Sequence, residues 1–194
     1  MKNKLNGRDF ITIGIFNGVS IVIYMAAAFV LATTVVGGFI ASGAAFMMAA
    51  ISYLLMSVKI KKRGVFTISG ILLGLVALSG GHIPHAIFAG LGGVICDFII
   101  GNYENKGRII FGYGIFALAD FLGTVVPVLL FGTASFAERA AKWKMSEGQI
   151  KQAISYFSIP YTVGFAILTF ALACTGAFAA VKLLKKHFKK AGVI

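Results

Sequence analysis

Four stretches of this chain, 10–36, 39–58, 109–131 and 159–181, are predominantly apolar, and a single charged residue, Asp120, falls inside them. The hydrocarbon layer of a bilayer is about 30 Å thick, so a helix needs about 20 mostly apolar residues to cross it. All four runs qualify. The composition agrees: 59% of the 194 residues are apolar and 12% are charged, against just under half and about a quarter in a soluble domain. Such a chain cannot cover itself with polar surface, which excludes a soluble globular domain. Disorder is excluded by the same numbers, because it depends on low hydrophobicity. Three prolines and no repeat period argue against a fibre or a solenoid. Cys96 and Cys174 sit in apolar runs and imply no disulfide framework. The expected fold class is all-α, an integral membrane bundle.

Between the second and third runs lie two shorter ones, 65–79 and 86–100. Each makes about 22 Å of helix at 1.5 Å per residue. They cross only if the linker 80–85 extends both, as 65–82 and 83–100, giving six transmembrane helices in one domain. The alternative is a re-entrant hairpin of two half-helices. With the N-terminus inside, every Lys and Arg except Arg139, Lys142, Lys144 and Lys151 falls on the cytoplasmic side, so both termini are expected to be cytoplasmic. That assignment is the same for six spans or four plus a hairpin. The four exceptions occupy the long loop 132–158, which is then extracellular. The net charge of +12 is thus mostly a topology signal, spread over four juxtamembrane segments. It is not gathered on one face as nucleic-acid binding requires. The basic tail 182–194 would lie against anionic membrane lipids, at about 1 kcal/mol per basic residue. The first apolar stretch runs to Val36, well past the roughly 7–15 residues of a signal-peptide core, and is read as a retained first helix.

Helices in lipid associate through small residues that let backbones approach. Three ladders have that spacing: Gly14 with Gly18, Ala41-Ala45-Ala49, and Gly70 with Gly74. Packing within the bundle is the ordinary reading. The alternative is that one ladder faces lipid and docks another membrane protein. Gly14 and Gly18, near the cytoplasmic end of a helix otherwise bulky with Ile15, Phe16, Val19 and Ile21, are best placed for it.

Asp120 stands near the midplane of its span, where a charge costs about 2.5–3.5 kcal/mol. It is a candidate ligand contact, ion site or proton relay, or else a paired carboxyl that locks helices together. Asp97 lies a turn from the cytoplasmic end of its run and is expected to be structural, reaching headgroups or Lys106 and Arg108. His82 and His85 are three apart in the linker, a spacing that can present two imidazoles on one side of a turn. Pro84 suits a first helical turn. Neutral imidazole binds metals and haem iron, but no Cys or Glu accompanies the pair, so a structural zinc site is not expected. In the long loop, 134–145 reads as one helix and Ser146-x-x-Gln149 as the capping box of a second. That second helix sets Ile150, Ile154 and Phe157 on one face. Trp143 and Tyr156 have the apolar bodies and polar tips of interface residues. The loop either lies on the membrane or folds over the bundle as a lid, burying Trp143, Tyr156 or Phe157 over a ligand. Pro160 opens the last span.

No phosphate-binding loop, nucleophile elbow, His-Glu-x-x-His or Cys-x-x-Cys occurs, so neither nucleotide hydrolysis nor another enzymatic activity is expected. Acidic and histidine residues do not recur along several spans as in many ion-coupled carriers, and no inverted repeat is visible. A small bundle without an energy source of its own is the physical portrait. No cofactor is implied.

Three stretches carry a resemblance: 4–16 (KLNGRDFITIGIF), Gly81-His-x-Pro-x-His85, and the ending 183–194 (LLKKHFKKAGVI). With the six-span layout they cover nearly the whole chain. The chain resembles the substrate-binding S components of energy-coupling factor (ECF) transporters, and more closely the Trep_Strep family of S-component-like proteins. That resemblance implies six helices in a bacterial cytoplasmic membrane and a pocket at the outer side. It also implies docking through small residues of the first helix onto a T subunit driven by two ATPase subunits. The docking positions fall on Gly14 and Gly18, where alanines are more usual; glycine packs at least as closely. The outer loops and last three helices of S components build the pocket, which points to His82, His85, Trp143, Tyr156 and Tyr161, with the deeper Asp120. A small solute, vitamin-like or a precursor, is the implied substrate. Haem or a metal chelate, held by His82 and His85, is the alternative. Two readings of other classes remain: a stand-alone carrier or channel using Asp120, and a membrane enzyme or assembly factor, for which the sequence offers no second catalytic group.

Overall fold

The computed structural model describes residues 4–187, and it is helical throughout. Lys2, Lys189 and Lys190, the side chains of Lys185 and Lys186, and most of the 183–194 ending lie outside the described residues. Eight helices follow in order: α1 (Gly7–Leu31), α2 (Val35–Ile60), α3 (Val65–Ser79), α4 (Ile83–Ile100), α5 (Lys106–Phe131), α6 (Ala134–Lys142), α7 (Glu147–Tyr156) and α8 (Ile159–His187). Among the described residues there is no strand. Five helices, α1, α2, α4, α5 and α8, are long and apolar enough to cross a membrane; α3, with 15 residues, is shorter.

Local chemistry sets the boundaries. A reciprocal cap opens α1: Asp9 N donates to Asn6 Oδ1 at 3.0 Å and Asn6 N to Asp9 Oδ2 at 2.8 Å. Lys62 reaches the same Asp9 carboxylate at 2.6 Å, tying the α2–α3 turn to the start of α1. The first two runs, expected to part at residues 37–38, part at 32–34 instead. Thr34 accepts from Gly37 N at 3.0 Å and caps α2, while Thr33 donates back to the Val30 carbonyl at 2.8 Å. Threonine hydroxyls that satisfy end-of-helix groups outweigh the neighbouring glycines as a stop signal.

The start of α3 corrects the reading of Asp97. That carboxylate is 6% exposed and does not reach headgroups. One oxygen accepts from Gly64 N (3.0 Å), Thr67 N (2.7 Å) and Thr67 Oγ1 (2.7 Å), and the other from the Tyr103 hydroxyl and Phe66 N. A residue of α4 thus caps the N-terminus of α3, which has no side-chain cap of its own, where a negative charge favours the helix dipole.

The five long helices and α3 form a ring in the order α1, α2, α8, α5, α4, α3, closed by a slighter contact between α3 and α1. Close approach is made at glycines. A Cβ on Gly70 or Gly93 would strike the backbone of the other helix where α3 crosses α4, and Gly43 and Gly176 do the same where α2 crosses α8. Inside the ring, Phe46 and Tyr53 of α2, Phe66 of α3, and Tyr113 and Phe116 of α5 pack ring to ring with centroids 5.3–6.2 Å apart. Such pairs contribute about 0.5–1.5 kcal/mol each beyond their burial. Tyr113 also donates to the Phe46 carbonyl at 2.7 Å.

Between α5 and α8 the chain folds back as two short helices. The capping box forms as the sequence predicts: Gln149 N donates to Ser146 Oγ at 3.3 Å and Ser146 N to Gln149 Oε1 at 2.9 Å. The preceding helix stops at Lys142 instead of 145, and Lys144 turns the chain with φ of 59°. Ala153 is the buried contact of α7, with Ile150, Ile154 and Phe157 partly covered beside it.

Candidate binding site

Asp120, on the middle of α5, has no exposed surface and is held by three other helices. Its Oδ2 accepts from Ser42 Oγ of α2 at 2.7 Å and from Tyr24 OH of α1 at 2.9 Å. His85 Nε2, in the first turn of α4, lies 2.7 Å from Oδ1. A buried carboxylate is tolerable when its lone pairs are filled in this way. The four residues therefore cross-brace α1, α2, α4 and α5 deep in the bundle. Of the two sequence readings for Asp120, the helix-locking one describes its bonds; Ser42 extends it towards a cavity.

That cavity, of about 200 Å³, opens between the end of α1, the start of α2, the last turns of α5 and the α6–α7 segment. Phe39, Phe121, Phe136, Phe157 and Trp143 give it aromatic walls, and Ser42, Thr34 and Thr124 supply its hydroxyls. Phe136 of α6 meets Phe157 with centroids 4.9 Å apart, and Phe39 of α2 meets the same Phe157 at 5.1 Å. The folded loop thereby roofs the space as well as flanking it.

Trp143 links cavity and linker. Its indole stacks on the His82 ring at 5.8 Å and 20°, so the α3–α4 turn touches the α6–α7 segment. His82 and His85 meet edge to face at 6.3 Å. Partial burial, then the nearby Arg139 charge and then His85 hold the His82 imidazole below its ordinary range, since desolvation and neighbouring positive charge both disfavour the protonated ring.

The structure brings His85, Asp120, His82 and Trp143 into one chain of contacts, and Trp143 alone of these lines the cavity. Tyr156 and Tyr161 are set apart: they pack on each other at 5.0 Å, and Tyr156 also on Phe39 and Phe165. Sequence reasoning missed Tyr24 and Ser42. A signal existed for Tyr24, since Asn17, Ser20 and Tyr24 (i, i+3, i+7) make one polar stripe on an apolar helix, and a polar stripe in hydrocarbon must face the protein interior. Ser42 carries no such mark.

The three small-residue ladders separate. Ala41, Ala45 and Ala49 are buried, and Gly70 and Gly74 press on α4. Gly14 and Gly18 face away from the bundle, and a Cβ at either would meet nothing within 4 Å.

Residues 7–190 match the family Trep_Strep, described as a hypothetical bacterial integral membrane protein. No curated protein and no solved structure matches the chain. A match over nearly the full length, on a bundle with five helices able to cross a bilayer, shows that the chain belongs to the Trep_Strep family and is a multi-pass membrane protein of bacteria.

Proposed function

We propose that this protein is the substrate-binding S component of an ECF-type importer. It captures a small solute at the outer end of a six-span bundle with both termini cytoplasmic, and it docks on a T subunit driven by two ATPases. It is not itself an enzyme. The observation that carries this reading is the cavity of about 200 Å³ roofed by α6 and α7. A concave site with aromatic walls and a few placed polar groups is what a small-molecule binder presents. The outward face of Gly14 and Gly18, at the end of α1 away from that cavity, supports a docking strip, because the bundle's own packing makes no use of it. Contact between His82 and Trp143 supports a full crossing by the α3–α4 pair over a re-entrant turn.

A stand-alone carrier using Asp120 is less well supported. Its oxygens already receive three side chains, and a coupling residue must exchange its partners. Haem is likewise disfavoured as substrate, since His85 Nε2 is committed to Asp120 and neither histidine lines the cavity. The test is co-isolation. The tagged chain, expressed in a bacterium that encodes an ECF T subunit and ATPases, should carry them through purification. Recovery of the chain alone from cells where those subunits are abundant would refute the proposal.

A further inference from the structure

We infer that the cavity takes a compact, largely apolar ligand of about one ring, bearing a hydrogen-bond donor at its inner end and no negative charge. This deepens the substrate-binding reading and rests on it. Size is the first constraint. The cavity volume is about 200 Å³. Pockets for drug-sized ligands run to about 300–1,000 Å³, and a porphyrin is far outside the available space. Phe39, Phe121, Phe136, Phe157 and Trp143 around it suit the faces and edges of a single ring.

The second constraint is the proton inventory at the inner end. Ser42 has one hydroxyl proton and gives it to Asp120 Oδ2 at 2.7 Å. What Ser42 can offer the cavity is therefore a lone pair, and its partner must be an O–H or N–H on the ligand. Thr34 at the rim differs. Its oxygen accepts from Gly37 N and its proton stays available, so an acceptor on the ligand is served there or at Thr124, which also lines the cavity, and not at Ser42.

Charge is the third. Asp120 stands one hydrogen bond behind Ser42, and the His85 imidazole lies on the far carboxylate oxygen. Among the described residues lining the cavity there is no Lys, Arg or His. An anionic group at Ser42 would face a carboxylate across a poorly screened interior with no cation to receive it. Carboxylates and phosphates are thereby excluded from the inner end.

Trp143 is the only tryptophan of the chain and lies in the cavity wall, so its emission reports occupancy. The probes are p-cresol, 4-methylanisole (the same ring with the donor capped), p-toluate and haemin, titrated into the purified full chain in detergent. The expected result is a saturable change with p-cresol, affinity for 4-methylanisole lower by about five-fold, the worth of one neutral hydrogen bond, and no displacement of p-cresol by p-toluate or haemin. Ser42→Ala should erase the preference for p-cresol and Ser42→Thr should keep it. Absence of p-cresol binding, displacement by p-toluate or haemin, or a preference that survives Ser42→Ala would overturn the inference. The four-probe comparison on the unaltered chain stands even if Ser42→Ala fails to fold. Co-isolation with the ATPases uses none of these probes. A failed ligand class thus leaves the transporter reading intact, and lost co-isolation does the reverse.

Discussion

Replacing Gly14 and Gly18 together by leucine should leave the fold intact and abolish assembly. Both glycines are exposed on α1, whose interior face carries Ile13, Asn17 and Ser20, and a side chain at either enters open space. Leucine is a better helix former than glycine by roughly 0.5–1 kcal/mol, so the double variant should melt at the same temperature as the parent or slightly higher. A partner helix seated on that strip meets the opposite situation. Two leucines overpack a contact built on backbone approach, each at about 1–3 kcal/mol, which weakens the complex by about thirty-fold or more. Gly70→Ala is the control: its added methyl strikes the Ala89 carbonyl and should lower the melting temperature. The assay pairs thermal unfolding, followed by Trp143 emission in detergent, with recovery of the ATPases on the tagged chain. The reasoning is refuted if the Gly14→Leu, Gly18→Leu protein keeps its ATPases, or if it unfolds as early as Gly70→Ala.

Asp120→Ala orphans the Tyr24 hydroxyl, the Ser42 hydroxyl and His85 Nε2, and should cost several kcal/mol, at about 1–3 kcal/mol for each buried group left unsatisfied. Asp120→Asn, which keeps an acceptor in the same place, should lose clearly less, and equal melting temperatures for the two would contradict the bracing role. His82 titrates below its ordinary pKa of 6.5, so the folded state holds fewer protons than the unfolded one just below that value. Stability is then fully present above pH 6.5 and declines as the pH falls through 6.5 towards the lowered pKa. Trp143 emission, reporting the stacked ring, should change with a midpoint below 6.5. Arg139→Ala should move that midpoint up, and a midpoint that stayed fixed would remove Arg139 from the account.

The long runs, the Ser146 capping box and Pro160 were legible because each signal is local: hydropathy over 20 residues, or a side chain bonding its own backbone three residues on. Asp97 was legible as structural but not in its bonds, since apart from the Tyr103 hydroxyl its donors come from the start of a helix some 30 residues away. The break at Thr33 and Thr34 was hidden by Gly37 and Gly38, which look like punctuation and lie inside α2. The site divides in the same way. Asp120, His82, His85 and Trp143 stood out as polar or amphipathic groups in apolar surroundings. Phe157 stood out as well, as a loop residue able to close over a ligand, but Phe39, Phe121 and Phe136 of the cavity wall did not, because in a chain with 18 phenylalanines only the crossing of helices decides which ones face a common space. The sequence favoured Gly14 and Gly18 among three small-residue ladders as the outward one, because the rest of that helix is bulky, and the rotation of α1 that buries Asn17 and Ser20 turns them outward.

The central claim is that this chain captures a solute but does not drive it across, and transport in vesicles tests it most directly. The small molecule that co-purifies with the protein, identified by mass and prepared in labelled form, is offered to proteoliposomes holding either the chain alone or the chain with its T subunit and ATPases. Binding without accumulation in the first, and accumulation that requires internal ATP in the second, is the predicted pair of results. Saturable accumulation by the chain alone would contradict the account.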